Sequence, residues 1–282
     1  MYDTWELDAP GIEHGDRFGS SVAIEGNTAL VGAPNANAAR SGAAYIFTYD
    51  GSSWGGSGIE LNATDPGTTD RFGTTVALNG DCAFVGVPYD NHQGSSAGSI
   101  YIFSRNMAGD WDTSGVRLIP SEVDSSDRFG YSIASKGDYT LVGAPGGSEA
   151  TYVLKRDDSV SDPCKWDIHQ KLLSKDHETN DDFGLSVSLS DDASIALVGA
   201  PYNDDDGSNS GSAYVFRLQD DGFFDEGFKL TAYDAARNDR FGGAVSLAGR
   251  YGVIGAADAE IGSADGNSGS AFFFPLDNVP TP

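Results

Sequence analysis

The most constraining feature of this sequence is a short motif that returns five times at nearly even spacing. Asp-Arg-Phe-Gly begins at Asp16, Asp70, Asp127 and Asp239, and the variant Asp-Asp-Phe-Gly begins at Asp181. Successive copies start 54, 57, 54 and 58 residues apart. Regular spacing of this kind indicates stacked copies of one supersecondary unit. Five units of about 56 residues account for nearly all of the 282 residues.

Each unit predicts four short strands. The segment after Phe-Gly, Ser20–Ile24 in the first copy, alternates in the way that a strand does. A tight turn leads to a nearly continuous apolar strand that ends in Gly-Ala-Pro, where proline stops the strand because it has no N–H to donate. A variable polar loop and a third strand follow. The fourth strand ends in a leucine nine residues before the next motif, and these leucines are Leu7, Leu61, Leu118, Leu172 and Leu230.

The strand count predicts the fold. One strand of the fourth type stands alone at residues 4–8, and the last unit lacks a strand of that type. We therefore predict an all-β, five-bladed β-propeller of four-stranded antiparallel blades, in which the N-terminal strand completes the last blade. Closing the ring in this way removes exposed strand edges. The domain is predicted to span residues 1–276, with a C-terminal linker at 277–282.

The sequence repeats Phe-Gly followed, about a dozen residues later, by Gly-Ala-Pro. This pattern resembles the FG-GAP repeat of the integrin α-chain propeller and its microbial relatives. The resemblance implies an extracellular adhesion module, and it differs from integrins in having five repeats and short turns where integrins carry calcium loops. The Phe-Gly pairs that carry it are Phe18–Gly19, Phe72–Gly73, Phe129–Gly130, Phe183–Gly184 and Phe241–Gly242.

The motif aspartates have two interpretations. As a ring of carboxylates they could supply the acid and base of a glycosidase. As structural residues, each would accept hydrogen bonds from its own loop and pair with the adjoining arginine. Near-identical copies favour the structural interpretation, because an active site needs unlike groups in unlike roles.

Composition narrows the partners. The chain has 17 basic and 42 acidic side chains, a formal charge of −25. Such a surface repels nucleic acid and anionic lipid, and no apolar stretch is long enough to span a membrane. We predict neither partner, and we expect the surface to favour cations.

Binding is predicted on the loops between the second and third strands, because these loops differ between copies on a repeated frame. The candidate ligand-binding residues are Asp90, Asn91, His92, Asn203, Asp204, Asp205, Asp206, Asp258 and Asp265. Oxygen-rich side chains at Asp204, Asp206 and Ser208 make calcium the candidate metal there, and an acidic solvated turn is the alternative.

Aromatic residues recur before the fourth strand, at Trp54, Trp111, Trp166 and Phe223. A recurring position favours packing between strands, whereas exposure would favour carbohydrate stacking. The two cysteines, Cys82 and Cys164, leave two alternatives open: a small core residue at Cys82, or a disulfide.

The sequence contains no nucleophile motif, zinc spacing or phosphate-binding loop. We therefore predict a non-enzymatic recognition module that binds protein or glycan, with or without calcium, as a monomeric domain of a larger extracellular protein. A multivalent lectin and a glycosidase are the alternatives.

Overall fold

The computed structural model describes residues 5–259 and 268–276, and these residues form five antiparallel sheets in chain order. The strands of the first two sheets are β1 (Ser21–Glu25), β2 (Thr28–Ala33), β3 (Ala43–Tyr49), β4 (Trp54–Leu61), β5 (Thr75–Asn79), β6 (Cys82–Val87), β7 (Ser99–Ser104) and β8 (Val116–Leu118). A 3₁₀ turn, Ala38–Arg40, precedes β3.

The other three sheets follow the same plan. Their strands are β9 (Ser132–Lys136), β10 (Tyr139–Ala144), β11 (Ala150–Arg156), β12 (Trp166–Leu172), β13 (Ser186–Leu189), β14 (Ile195–Ala200), β15 (Ser212–Arg217), β16 (Phe228–Leu230), β17 (Phe241–Ala248), β18 (Tyr251–Ala256) and β19 (Ser270–Pro275). Four sheets have four strands and the last has three. The five sheets match the blades of a five-bladed propeller, so the predicted all-β, five-bladed class is confirmed. The closure of the ring stays a prediction.

The chain divides into two compact units. One contains the chain up to Gly130 together with Asp157–Lys165, and the other contains Tyr131–Arg156 together with the chain from Trp166 onward. The loop Asp157–Lys165 thus belongs to a different unit from the strands β11 and β12 that flank it.

The motif phenylalanine packs against the aromatic residues of the third strand in four of the sheets. Phe72 lies 5.5 Å from Tyr101 and 6.0 Å from Phe103, ring centre to ring centre, in edge-to-face geometry. The same arrangement recurs around Phe18, Phe183 and Phe241 with the aromatic residues of the third strands. Edge-to-face pairs add about 1 kcal/mol each beyond burial. The repeated motif is therefore a packing device.

The predicted N-terminal strand is not present among the described residues. Residues 5–9 form no strand, and the last sheet has only three. Leu7, Ala9 and Ile12 instead pack against the buried core of the first sheet. Apolar side chains on this segment are satisfied locally, so the leucine spacing alone was insufficient to predict a strand. The proposed linker at 277–282 lies outside the described residues.

The cysteines form a disulfide, which decides between the two alternatives. Cys82 on β6 and Cys164 in the loop Asp157–Lys165 are bonded, with 5.5 Å between their Cα atoms. Within the described residues no helix has the length and apolar character needed to cross a bilayer.

Candidate functional site

Each motif aspartate holds its own turn. Its carboxylate accepts the backbone N–H of the residue three positions earlier, at 2.7 Å for Asp16 and Asp70, 2.9 Å for Asp127, 3.4 Å for Asp181 and 2.8 Å for Asp239. The residue after it has a positive φ of 55–59° in all five copies. The predicted pairing with the adjoining arginine is replaced by other contacts: Arg240 binds Asp258 at 2.8 Å, and Arg71 lies over Tyr89.

The variable loops of the second and fourth sheets lie against the motif turns. Asn91 donates to the carboxylate of Asp70 at 3.3 Å, and Asn203 donates to that of Asp181 at 3.0 Å. Several of the candidate binding residues therefore gather at the start of the second and fourth sheets.

A network of an acid, a tyrosine and a cation lies beside the loop of the second sheet. The tyrosine hydroxyl of Tyr101 donates to Asp65 at 2.6 Å, and Arg117 donates to the other carboxylate oxygen at 2.5 Å. His92 Nδ1 lies 3.3 Å from the same oxygen of Asp65 and 3.0 Å from Arg117. Asp90 is 4.0 Å from Arg117 and accepts a hydrogen bond from Ser99.

The fourth sheet repeats this network with one decisive difference. Tyr214 donates to Asp176 at 2.7 Å, and Lys229 donates to Asp176 at 2.5 Å and to Asn203 at 2.8 Å. The third acceptor of Lys229 is Asp205.

The two loops have the same length between Gly-Ala-Pro or Gly-Val-Pro and the third strand, so their positions can be compared one to one. Asp205 occupies the position of His92, and Asn203 occupies that of Asp90. Each network keeps two carboxylates near one cation, but the histidine occurs only in the second sheet's copy.

The charges of the second network are fixed by its hydrogen bonds. Burial raises the pKa of Asp65, but hydrogen bonds from Tyr101 and Arg117 outweigh it and bring the pKa below its ordinary value. Burial and the hydrogen bond to Asp65 raise the pKa of Tyr101 to about 12. For Arg117, burial lowers the pKa, and the hydrogen bond to Asp65 together with the charge interactions with Tyr101, Asp65 and Asp90 raises it by more. At neutral pH the network is therefore a carboxylate, a neutral phenol and a guanidinium.

The fourth network shows the same balance. Burial raises the pKa of Asp176, and the bonds from Lys229 and Tyr214 lower it by more. Burial lowers the pKa of Lys229, and its bonds to Asp176 and Asp205 raise it by more. Burial, followed by the bond to Asp176, raises the pKa of Tyr214.

Comparison with protein families decides the membership of the chain. The FG-GAP repeat matches five times, at residues 4–47, 59–103, 113–156, 166–216 and 224–274. The chain belongs to the FG-GAP repeat family. A search of curated proteins found no match.

One solved structure similar to this FG-GAP chain is the periplasmic gluconolactonase PpgL of Pseudomonas aeruginosa. The identity is 17% and the TM-score 0.54, over 84% of this chain and 64% of that chain. The likeness shows a shared fold, and this chain spans about two thirds of the length of the gluconolactonase. The prediction of a non-enzymatic recognition module is therefore wrong. Its main support was the fold, and the gluconolactonase has this fold and is an enzyme.

The candidate calcium residues lie in the variable loop of the fourth sheet, where Asp204 is hydrogen-bonded within the loop itself. Asp204 accepts the backbone N–H of Asn209 at 2.6 Å, within the turn that contains Asp206 and Ser208. Among the described residues no group of three or more His, Cys, Asp or Glu is arranged to hold a metal ion. Calcium binding remains a prediction. Asp258 lies beside Arg240, and Asp265 is outside the described residues.

The recurring aromatic residues pack within the sheets. Trp111 and Trp166 are buried, and Trp54 packs on the core of the first sheet. Phe224 takes the equivalent position in the fourth sheet, whereas the predicted Phe223 is exposed and stacks on His169 with 4.3 Å between ring centres. The prediction was one residue out because two phenylalanines are adjacent.

Sequence reasoning missed the acid, the tyrosine and the cation of both networks. A signal was present: Asp65 and Asp176 each stand five residues before a motif aspartate, and Arg117 and Lys229 each stand one residue before the fourth-strand leucine.

Proposed function

We propose that this chain is a hydrolase of carboxylic esters, cyclic esters included, and that its reacting centre is formed by Asp65, His92 and Arg117. The observation that carries the proposal is the placement of His92 Nδ1 3.3 Å from the Asp65 carboxylate, beside a guanidinium 3.0 Å away. An acid that orients an imidazole is the arrangement that general-base catalysis uses.

The difference between the two networks supports this choice. Structural groups recur in equivalent sheets, as the acid, tyrosine and cation do here, whereas a catalytic group need occur only once. His92 is the member that is replaced in the other copy, by Asp205. Its side chain is half exposed, so substrate and water can reach it.

Each group has a defined part in the reaction. Nδ1 of His92 lies within reach of both the Arg117 N–H, from which it can accept, and the Asp65 carboxylate, to which it can donate. When the Arg117 N–H points to Asp65 alone, Nδ1 carries the proton that is donated to Asp65, and the lone pair on Nε2 takes a proton from water. The resulting hydroxide attacks the ester carbonyl carbon, and Arg117 supplies positive charge toward the oxyanion. The carbon–oxygen bond to the alcohol then breaks, and the imidazolium returns the proton to the departing alkoxide.

The charge of the protein suits such a substrate. An ester or lactone is neutral, so the net charge of −25 does not oppose its approach. The product is a carboxylate, and the same charge repels it. The fold shared with a gluconolactonase supports cyclic esters as the first substrates to test.

The test is hydrolysis of a panel that contains gluconolactone, simple lactones and phenyl acetate, followed as acid release at constant pH. His92→Gln is expected to lower kcat by about a hundredfold or more, as loss of a general base does. Asp205→Asn is the matched control, because it changes the equivalent position of the fourth sheet, and it should leave kcat unchanged. No hydrolysis above the uncatalysed rate, or full activity in His92→Gln, would rule the proposal out.

We also propose that the protein works outside the cytoplasm. The buried Cys82–Cys164 disulfide supports this, because such bonds persist in oxidising compartments. The test is alkylation of the protein as isolated from its source cells. Labelling of both cysteines would contradict the proposal.

A further inference from the structure

A groove of about 640 Å³ is lined by the end of β12 and by residues of the fourth sheet, and its volume is in the range of small-molecule sites. The lining residues are 170–175, 224–226 and Phe216. All of them belong to one compact unit of the chain. None of them belongs to the centre formed by Asp65, His92 and Arg117, so the groove is a different site from the proposed hydrolase centre.

The side chain of Gln170 fixes one wall of the groove. Its amide nitrogen donates to the carbonyl of Phe224 at 2.9 Å, and its amide oxygen accepts the N–H of Phe224 at 2.8 Å. Leu172, Phe216 and Phe224 are buried. The groove therefore has a preformed apolar wall, which is the usual setting of a small-molecule site.

Ser174 places a buried hydroxyl in this groove. The residue is 6% exposed, and its Oγ atom has no hydrogen-bond partner among the residues that the structure describes. The equivalent residues, two positions after the fourth-strand leucine, are Ala63 and Ala232 in the first and fourth repeats. The repeat thus accepts alanine at this position, and packing alone does not explain a serine there.

Asp225 places a second buried polar atom in the groove. Its Oδ1 atom accepts the N–H of Arg217 at 3.0 Å and that of Gly227 at 3.1 Å. Its Oδ2 atom is buried without a hydrogen-bond partner, and the carboxylate forms no ion pair within the described part of the chain. Lys175, which also lines the groove, is paired with Glu226 at 2.9 Å. An ionised carboxylate only accepts hydrogen bonds, so the partner that Oδ2 lacks is a donor.

The equivalent aspartate of the second sheet separates the structural role from the rest. Asp112 accepts the N–H of Ser114 at 2.9 Å through its Oδ1 atom, as Asp225 accepts that of Gly227. Asp112 is exposed, so water reaches its carboxylate. The turn uses one carboxylate oxygen in both sheets, and in the fourth sheet the second oxygen is buried at the groove.

Two contacts between the lining stretches bring the buried atoms together. Gln170 is bonded to Phe224, and Lys175 is bonded to Glu226. In each stretch the residue with the buried atom, at 174 or 225, stands between these two contacts. One small ligand can therefore reach both atoms.

We propose that this groove binds a small organic ammonium ion that carries an apolar group, an arylalkylamine in its protonated form. The ammonium group donates to Oδ2 of Asp225 and to Oγ of Ser174, and the apolar group lies on the wall of Leu172, Phe216 and Phe224. An ammonium ion is a donor with three N–H bonds and also supplies the positive charge that a buried carboxylate needs. The net charge of −25 attracts cations to the protein as a whole.

The experiment is a calorimetric titration of the full chain with benzylamine at neutral pH. Salt at about 0.15 M screens the attraction of the amine to exposed acids. One benzylammonium ion should bind per chain, with a Kd of about 1 mM or tighter for a ligand of this size. Benzyl alcohol is the uncharged probe of the same shape, and it should bind at least about tenfold more weakly because it lacks the charge.

Asp225→Asn changes the buried oxygen and keeps the turn. Its side-chain oxygen still accepts the N–H groups of Arg217 and Gly227, whereas the buried acceptor becomes an amide donor without charge. Benzylamine binding should weaken by about tenfold or more. Asp112→Asn is the matched control, because it makes the same change at the exposed equivalent position, and it should leave the Kd unchanged.

Ser174→Ala tests the second buried atom with little risk to the fold, because alanine is the residue of the first and fourth repeats. Benzylamine should bind to this variant about three- to tenfold more weakly, the loss of one hydrogen bond. Its circular dichroism should match that of the wild type. If Asp225→Asn does not fold, this variant and the alcohol probe decide the question.

Three results would overturn the proposal. One is the absence of benzylamine binding to the wild type, which would leave water as the partner of the two buried atoms. Another is equal affinity for benzylamine and benzyl alcohol. The third is an unchanged Kd in folded Asp225→Asn or in Ser174→Ala. The readout is binding, so the result does not depend on whether the chain hydrolyses esters.

Discussion

At the residue scale, the carboxylate of each motif aspartate satisfies a backbone N–H that would otherwise be left without a partner in its turn. Asp127 is buried and accepts the N–H of Asp124 at 2.9 Å. Asp127→Ala should therefore lower the free energy of unfolding by about 1.5–3 kcal/mol, the typical contribution of a hydrogen bond to a charged group. Asp127→Asn keeps an acceptor oxygen and should cost less. Chemical denaturation of the three proteins gives the ranking, and equal stability of all three would refute it.

The structural role of these aspartates could be predicted from the sequence, because repetition itself argues against unlike chemical roles. The contacts of the adjoining arginines could not be predicted from the sequence. Arg71 and Arg240 have a positive φ and contact Tyr89 and Asp258, and neither the backbone angle nor these contacts can be read from a single sequence.

At the scale of elements, the disulfide joins β6 to the loop Asp157–Lys165, which lies far from β6 in the sequence. Cys82 and Cys164 are 82 residues apart. Cross-linking a loop of this size restricts the unfolded chain and stabilises the fold by about 4 kcal/mol. The double variant Cys82→Ala, Cys164→Ala should lose stability of that order.

Wild-type protein under reducing conditions is the control for that variant. The two should unfold at the same denaturant concentration if the cross-link, and not the packing of the sulfurs, carries the effect. A double variant as stable as the oxidised wild type would contradict the expectation.

The strands themselves were accessible from sequence, since period-two alternation and glycine turns are local signals. The disulfide was not decidable, because Asp157–Lys165 belongs to a different unit from its flanking strands. The N-terminal strand failed for a related reason. Its pattern matched a fourth strand, yet Leu7 found apolar partners in the first sheet.

At the scale of the whole molecule, stability depends on two opposing groups of acids. Burial raises the pKa of Glu149 and of Asp70 above their ordinary values, despite hydrogen bonds that lower it. For such groups the folded state binds protons more tightly than the unfolded state, so stability falls as pH rises from the unfolded value through the raised one. Asp65 and Asp176 have lowered pKa values, so their contribution is lost as pH falls below the ordinary value of 3.8.

We therefore expect the unfolding temperature to rise as pH falls from 7.5 toward 4.5, the ordinary value of Glu149, and to fall below about 3.8. Relief of repulsion among 42 acidic side chains acts in the same direction over the first range. Thermal melts across this range are the measurement. Glu149→Gln removes one titrating group and should flatten the upper limb, whereas a melt curve that is flat or that falls from pH 7.5 to 5 would disprove the account.

The candidate site was only partly predictable. The loops that carry His92 and Asp205 were found because they vary on a repeated frame. Asp65 lies in the connection after β4, and Arg117 lies on β8. Both were missed because only the fold brings them within hydrogen-bond distance of the loop. The histidine's significance comes from comparing equivalent positions of two sheets, and that comparison required the register.

On the second strand of four sheets, a glycine touches the backbone of the next repeat's motif glycine, as Gly32 touches Gly73, and this glycine junction bears on how such a chain can lengthen in evolution. Its closest contact is between backbones, and backbone is the same whatever side chains surround it. A repeat copied by unequal crossing-over therefore arrives with both halves of a working joint and needs no compensating substitution to dock on its parent. Selection can then change the loops of one copy while another copy keeps its own, which is how a histidine can stand in one blade where the equivalent blade has an aspartate.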